Sequence, residues 1–239
     1  YLRRFAHANA SWPELIAILD EHTEDDVGAW SDVWVNSPGR PRFLLDAAPA
    51  TAVLEQRDPA GNGRVWPQSF AILDLSSQGS TPVRHRTDSR RSALAAGLPG
   101  RVTDLVLNAD GYGYGLFPAD LRALDAWRGL APLPLASLLI NLNEQMLETG
   151  APAPGQLMER LLPIAVNARD QLLLDLALGQ LRRIYWTLLP DDRRRAVAPE
   201  IEASLWRALR ASDTESLRKI YFSAFTDVAT TPGSLRRAS

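Results

Sequence analysis

The chain has 239 residues, 46% of them hydrophobic and 23% charged, with a formal net charge of −2. That balance supports a packed core and argues against a general nucleic-acid or membrane-surface partner. With no cysteine there is no disulfide and no thiolate metal site, and no apolar run approaches the ~20 residues of a membrane span.

The basic charge is nearly all arginine, Lys219 being the only lysine. The lack of cysteine fits a reducing compartment, and a cytoplasmic location is the expectation. The sequence opens at Tyr1 with neither Met nor a signal-peptide pattern, so it reads as a piece of a longer protein. Residues 1–9 read as the end of a helix with Leu2, Phe5 and Ala6 on its apolar side. Ser11 and Glu14 have capping-box spacing, and Pro13 sits in the first turn, where its missing N–H is harmless. Trp12, Leu15, Ile16 and Leu19 recur at helical spacing. A second helix is expected from about Thr23, with Glu24, Asp25 and Asp26 at the positive end of its dipole. Val27, Trp30 and Trp34 form its apolar face, and Pro38 and Gly39 stop it.

From Arg42 the period changes. Short strands are expected at 42–47, 51–57, 68–75, 82–86, 102–107 and 112–117, with turn clusters at 58–63 and 76–82. Strands of this number and length suit a small antiparallel β-sandwich. The arginine-rich stretch 84–91 has no interleaved aromatic residue to stack on bases. It reads better as an edge strand protected by charge. Asn108, Asp110 and Gly111 signal a turn inside TDLVLNADGYGYGLF. Gly111, Gly113 and Gly115 could suggest a phosphate loop, but no G-x-x-x-x-G-K-[ST] is present, and a strained turn is the better reading.

Beyond Pro118 the pattern is helical. Helices are expected at 119–128, 133–148, 154–166, 169–189, 191–210 and 213–229, and 232–239 reads as frayed or cut short. Asp213, Thr214 and Ser216 offer a cap for the last of these helices. Ile184, Tyr185, Trp186, Leu188 and Leu189 form a band too wide for a surface helix. Short connections suggest an irregular helical-repeat stack. The fold class is therefore multi-domain α and β. A short helical segment over 1–40 leads into a β-sandwich over 41–117, then an α-solenoid-like helical-repeat region over 118–239 that reads as incomplete.

Residues for chemistry are sparse. His7, His22 and His85 do not stand at ligand spacing, and H-E-x-x-H is absent. His22 with Glu21 and Glu24 would spread over different helix faces. There is no G-x-S-x-G elbow. Asp191 with Asp192, and Glu200 with Glu202, could be paired carboxylates, but a helix start and a polar face suit dipole and solvation roles better. Arg182 and Arg183, flanked by aromatic residues, are candidates to bind a carboxylate; a solvated arginine pair is the alternative. No catalytic residue, no metal ligand and no cofactor are assigned within this chain.

The opening YLRRFAHANASWPELIAILDEHTEDDV, followed by WSDVWVNSPGRP, resembles the end of the catalytic domain of the aminopeptidase N family of zinc metallopeptidases. The resemblance rests on Asn9, Ala10, Ser11 and Trp12, and on Trp34 ahead of the Pro38 to Pro41 exit. VWP at 65–67 resembles a strand start in that family's β-sandwich. LVLNADGYGYGLF resembles the strand-turn-strand leading into its helical C-terminal domain, although Gly115 and Leu116 depart from the pattern. IYWTLLPDDRRRAVAPEIEASLW, and YFSAF followed by VATTP, look like the helical domain of a bacterial branch. The resemblance implies that 1–40 ends a zinc-peptidase catalytic domain, the partner lying upstream in the same protein. It implies that the zinc ligands, the general base and the catalytic tyrosine all precede Tyr1. Tyr112 and Tyr114 belong to the sandwich segment and are not that tyrosine. The implied function is a non-catalytic region of a zinc-dependent aminopeptidase that supports and covers the cleft where peptides lose N-terminal residues. The rival reading is a stand-alone protein-interaction scaffold. The apolar set Trp12, Leu15, Ile16, Trp30 and Trp34 separates the two, because two short helices cannot cover it themselves.

Overall fold

The computed structural model describes residues 1–46, 52–77 and 79–238. Helix α1 (Trp12–Asp20) starts where Glu14 accepts hydrogen bonds from the Ser11 N–H and hydroxyl, both at 2.7 Å, which is the glutamate half of the capping box. Helix α2 (Val27–Trp34) begins later than the acidic run suggests. Asp26 is its cap, accepting from the Ala29 N–H at 2.7 Å, so Glu24 and Asp25 lie ahead of the helix. The expected helix end at 1–9 is instead a series of turns. The Phe5 N–H reaches the Tyr1 carbonyl, and His7 at φ 65° cannot continue a right-handed helix.

Six strands form two antiparallel sheets among the described residues. One has β1 (Arg42–Asp46), β2 (Val53–Arg57) and β5 (Arg91–Ala93) in the order β1-β2-β5, and the other has β3 (Gln68–Asp74), β4 (Val83–Thr87) and β6 (Leu105–Leu107) in the order β4-β3-β6. Ala47 and Thr51, expected at strand ends, lie outside the described residues. Strand β5 was not expected. A 3₁₀ turn over Val102–Asp104 shortens the strand expected at 102–107.

The strand expected at 112–117 does not form. Its peptide groups are taken by side chains and by one parallel bridge. The Gly113 N–H donates to Asn108 Oδ1 at 2.7 Å, and Asn108 Nδ2 returns to the Gly113 carbonyl at 3.0 Å. The Tyr114 N–H donates to Gln68 Oε1 at 2.8 Å. Only Leu116 meets a strand, opposite Arg42. The alternation of tyrosine with glycine and the apolar pair Leu116 and Phe117 signal extended chain, but extended chain does not require a ladder when side-chain amides satisfy the backbone.

Strands β3 and β6 bury both faces. Phe70, Ile72, Leu105 and Leu107 join Phe43, Leu54 and Phe117 in a cluster shared with the first sheet. Ala71, Leu73 and Val106, on the opposite face, join the helical core. This period-2 division explains the continuous apolar run Phe70 to Leu73.

The first expected helix after Pro118 is a 3₁₀ segment, Leu121–Gly129. Then follow α3 (Pro132–Thr149), α4 (Pro154–Ala165), α5 (Gln171–Arg183), α6 (Asp191–Ala211), α7 (Glu215–Val228) and α8 (Pro232–Ala238). Thr214 caps α7, accepting from the Leu217 N–H at 3.2 Å. The expected long helix 169–189 changes to a π turn at Ile184–Leu188, burying Ile184 and Tyr185 while Trp186 stays exposed. The tail expected to fray is helix α8. Leu138, Leu142, Leu157, Leu161, Leu174 and Leu205 are fully buried, each such side chain stabilising by about 1.5–3 kcal/mol.

Side chains of α3 fasten the helices to the second sheet. Asn141 Nδ2 donates to the Leu107 carbonyl at 2.9 Å, and the Ser137 hydroxyl donates to that of Asn108. Arg40 and Arg42 reach Glu144 and Glu148 at 2.7 and 2.8 Å.

The glycines of the 111–115 turn separate two effects. A Cβ on Gly115, at φ +148°, would lie 2.8 Å from the Pro41 carbonyl oxygen and 2.9 Å from Phe43, whereas Gly111, at φ +72°, has nothing closer than 4.0 Å. Gly115→Ala is expected to cost about 3 kcal/mol through overpacking and backbone strain, and Gly111→Ala about 1 kcal/mol through strain alone. Urea unfolding midpoints of the two variants check this, and equal losses would contradict the steric reading.

Candidate functional site

No group of three or more His, Cys, Asp or Glu side chains stands close enough to hold a metal ion among the described residues. His7 is exposed in a turn. His22 places Nδ1 2.8 Å from the Ile18 carbonyl oxygen. His85 is buried on β4 with Nε2 2.9 Å from Ser92 Oγ, and burial pushes its pKa down. Nor do the described residues include a helix long and apolar enough to cross a membrane.

The paired carboxylates do not act as pairs. Asp191 opens α6 and pairs with Arg194, a dipole role. Glu200 is exposed, but Glu202 is 1% exposed, which corrects its expected place on a polar face. Its carboxylate accepts from the N–H groups of Thr230 and Thr231 at 2.7 and 3.0 Å and from both hydroxyls. Burial works to raise its pKa, but these hydrogen bonds prevail and the pKa is lowered. Glu202 thus anchors the start of α8 rather than serving as an acid or base.

The three turn glycines form no phosphate cradle. The Gly113 amide is committed to Asn108, and Gly115 is pressed against Pro41 and Phe43. The arginine-rich stretch does include an edge strand, β4. Arg84 pairs with Asp110 at 2.7 Å, Arg86 with Asp88 at 3.4 Å, and Arg90 with Glu55 at 2.9 Å. Those cations are already matched within the chain. Glu55, 6% exposed, also accepts from Arg57 at 3.1 Å. The hydrogen bonds from Arg57 and Arg90 lower its pKa to about 2.

Arg182 and Arg183 diverge. Arg182 pairs with Asp227 of α7 at 2.8 Å and lines a groove of about 490 Å³ with Asp175, Lys219 and Ser223. Arg183 forms no ion pair among the described residues. It lines a different groove, of about 410 Å³, between α3 and α5. Neighbouring residues on a helix are separated by about 100°, so one carboxylate clamp made of both is not what the fold presents. Sequence reading missed Asn143 and Gln180, which line the second groove; each looks like an ordinary polar helix residue until the packing is known.

The other feature is apolar. Trp12 is 39% exposed, Trp30 44%, Leu19 46% and Val35 48%, all on or beside α1 and α2. Trp12 is held by its indole N–H donating to Ser31 Oγ at 2.8 Å. Trp34 turns inward instead and meets the ring of Tyr114 at 6.0 Å between centroids. Two of the three tryptophans thus present part of their surface to solvent.

No protein-family model matches the chain, and no curated protein matches it significantly.

The depressed Glu55 pKa sets a pH window. Its carboxylate stabilises the fold above its ordinary pKa of 4.5, and that contribution is lost as pH falls through the folded value of about 2. Glu55→Gln is expected to be less stable than the native chain at neutral pH, the gap narrowing steadily from pH 4.5 toward 2. Urea unfolding across that range measures it; a gap independent of pH would rule the charge out as the cause.

Proposed function

We propose that this chain is the non-catalytic C-terminal region of a zinc-dependent aminopeptidase, supporting and covering the cleft in which peptides lose N-terminal residues. In this reading residues 1–40 end the catalytic domain, 41–117 are its β-sandwich neighbour and 118–239 belong to the helical-repeat domain. The observation that carries it is the exposure of four large apolar side chains on or beside α1 and α2, Trp12, Leu19, Trp30 and Val35. Burying such side chains is strongly favourable, and an upstream catalytic body is the natural cover. The order of elements also supports it: two helices, then two small sheets sharing one apolar cluster, then helices. The described residues supply no zinc ligand set, so in this reading the metal and the general base belong to the upstream part. The role left to the present residues is structural: the sheets space the helices, and the helices limit access to the cleft.

Two measurements test this. A longer protein carrying this segment is expected to hydrolyse aminoacyl-arylamides in a zinc-dependent, chelator-sensitive way, while this chain with added zinc does not. The absence of H-E-x-x-H upstream, or metal-dependent hydrolysis by this chain alone, would overturn the reading. Trp30→Ala is expected to change the stability of the isolated chain by only about 0.5 kcal/mol but to cost the longer protein about 3 kcal/mol. Equal, small effects in both would favour a free interaction scaffold.

A further inference from the structure

Helix α5 carries a glycine that its own packing does not require. Gly179 lies within the helix and is exposed, and a Cβ there would meet nothing within 4 Å. Glycine in a helix interior is destabilising relative to alanine, and nothing inside the chain presses on this one. It borders two grooves, one of about 490 Å³ toward α7 and one of about 410 Å³ toward α3. A helix backbone without a side chain, set between two grooves, admits the close approach of another helix.

The charges on either side of Gly179 are opposite and unsatisfied. Asp175 stands one turn before it and Arg183 one turn after, in an i, i+4, i+8 row. Neither forms an ion pair among the described residues. They stand about 12 Å apart along the helix, too far to pair with each other. The opposite charges that share their grooves are taken: Glu144 by Arg40 at 2.7 Å, Lys219 by Glu215 at 2.7 Å and Arg182 by Asp227 at 2.8 Å. Leu176, half-buried, and Ile140, 46% exposed, add apolar surface beside the row.

A row that reads negative, glycine, positive is its own complement when reversed. We propose that two copies of this chain associate through α5, the two helices antiparallel and crossing at Gly179. A two-fold axis beside Gly179 sets Asp175 against the partner's Arg183 and Arg183 against the partner's Asp175, an isologous contact. A crossing angle of about −50° runs the i±4 ridges of the two helices alongside each other, which brings both charge pairs into reach. Leu176 and Ile140 then lose water at the centre of the contact. The contact uses none of the exposed apolar residues of α1 and α2 and does not depend on the peptidase reading.

Sedimentation velocity of this chain over a concentration series tests the assignment. The native chain is expected to show a monomer–dimer equilibrium with a micromolar Kd, weakening as salt rises. Asp175→Arg and Arg183→Asp each set like charges opposite one another, and each alone is expected to weaken the dimer about tenfold or more. Mixing the two variants is expected to restore association, because their charges then pair across the axis at both ends. Gly179→Leu should abolish the dimer. Measured below the native Kd, it should hold or raise the thermal midpoint, since the new side chain enters open space and leucine is the better helix former. The proposal is overturned if the native chain stays monomeric across the series. It is equally overturned if the variants dimerise like the native chain, which would place the contact elsewhere, or if the mixture associates no better than its components.

Discussion

The fold depends on the packing of three phenylalanine rings. Phe43 stacks on Phe117 at 4.6 Å, and Phe70 meets Phe117 edge-on at 4.9 Å. These rings belong to the first sheet, the second sheet and the segment that enters the helices. The chain crosses them at Gly113 and Gly115, where any Cβ would stand within 3 Å of Phe117 or Phe43. Close approach of backbone to ring lets Leu116 bridge to Arg42 and lets Phe117 close the cluster. From there the Ala119 peptide is held by Gln145 of α3 on both its N–H and its carbonyl, at 3.0 Å each. The position of the helical half thus follows from a steric fit set in the sheets.

Polar groups in the interior divide by how fully they are matched. Glu202 is buried with four donors and keeps its charge. Glu55 is buried under arginines that neutralise it from the exposed side. Both cases follow the rule that a buried charge survives only when it is hydrogen-bonded and paired. Four buried side-chain atoms stand outside this rule among the described residues, Trp34 Nε1, Arg42 Nε, Asn143 Oδ1 and Gln180 Oε1, and they are spread over α2, β1, α3 and α5.

Much of the fold was legible in the sequence, for identifiable reasons. The period change at Arg42, the glycine-proline punctuation and the long apolar periodicities of α3 to α7 are local signals, and local signals place elements. What failed was non-local. Extended sequence at 112–117 looked like a strand because nothing in it records that Asn108 and Gln68 would take its amides. Arg91 to Ala93 gave no strand signal because β5 is held by its partner Glu55 and Val53 register rather than by propensity. The tail looked loose because its anchor, Glu202, lies 28 residues earlier. The candidate site was half legible. Arg183 stood out by charge and neighbours, but its separation from Arg182 and its company with Asn143 and Gln180 exist only after α3 and α5 pack.

The fastening of α3 to β6 has one more effect. Asp104 accepts from Leu75 across the ladder, so alternate residues turn their peptide groups away from β3, Leu107 among them. The Leu107 carbonyl is the group that Asn141 occupies. A helix side chain therefore sits where an added strand would dock, and at the far side of the same sheet β4 presents Arg84 and Arg86. Recognition of this sheet by β-augmentation is therefore closed on the β6 margin, and a strand added at the β4 margin would run beside arginines that Asp110 and Asp88 already pair.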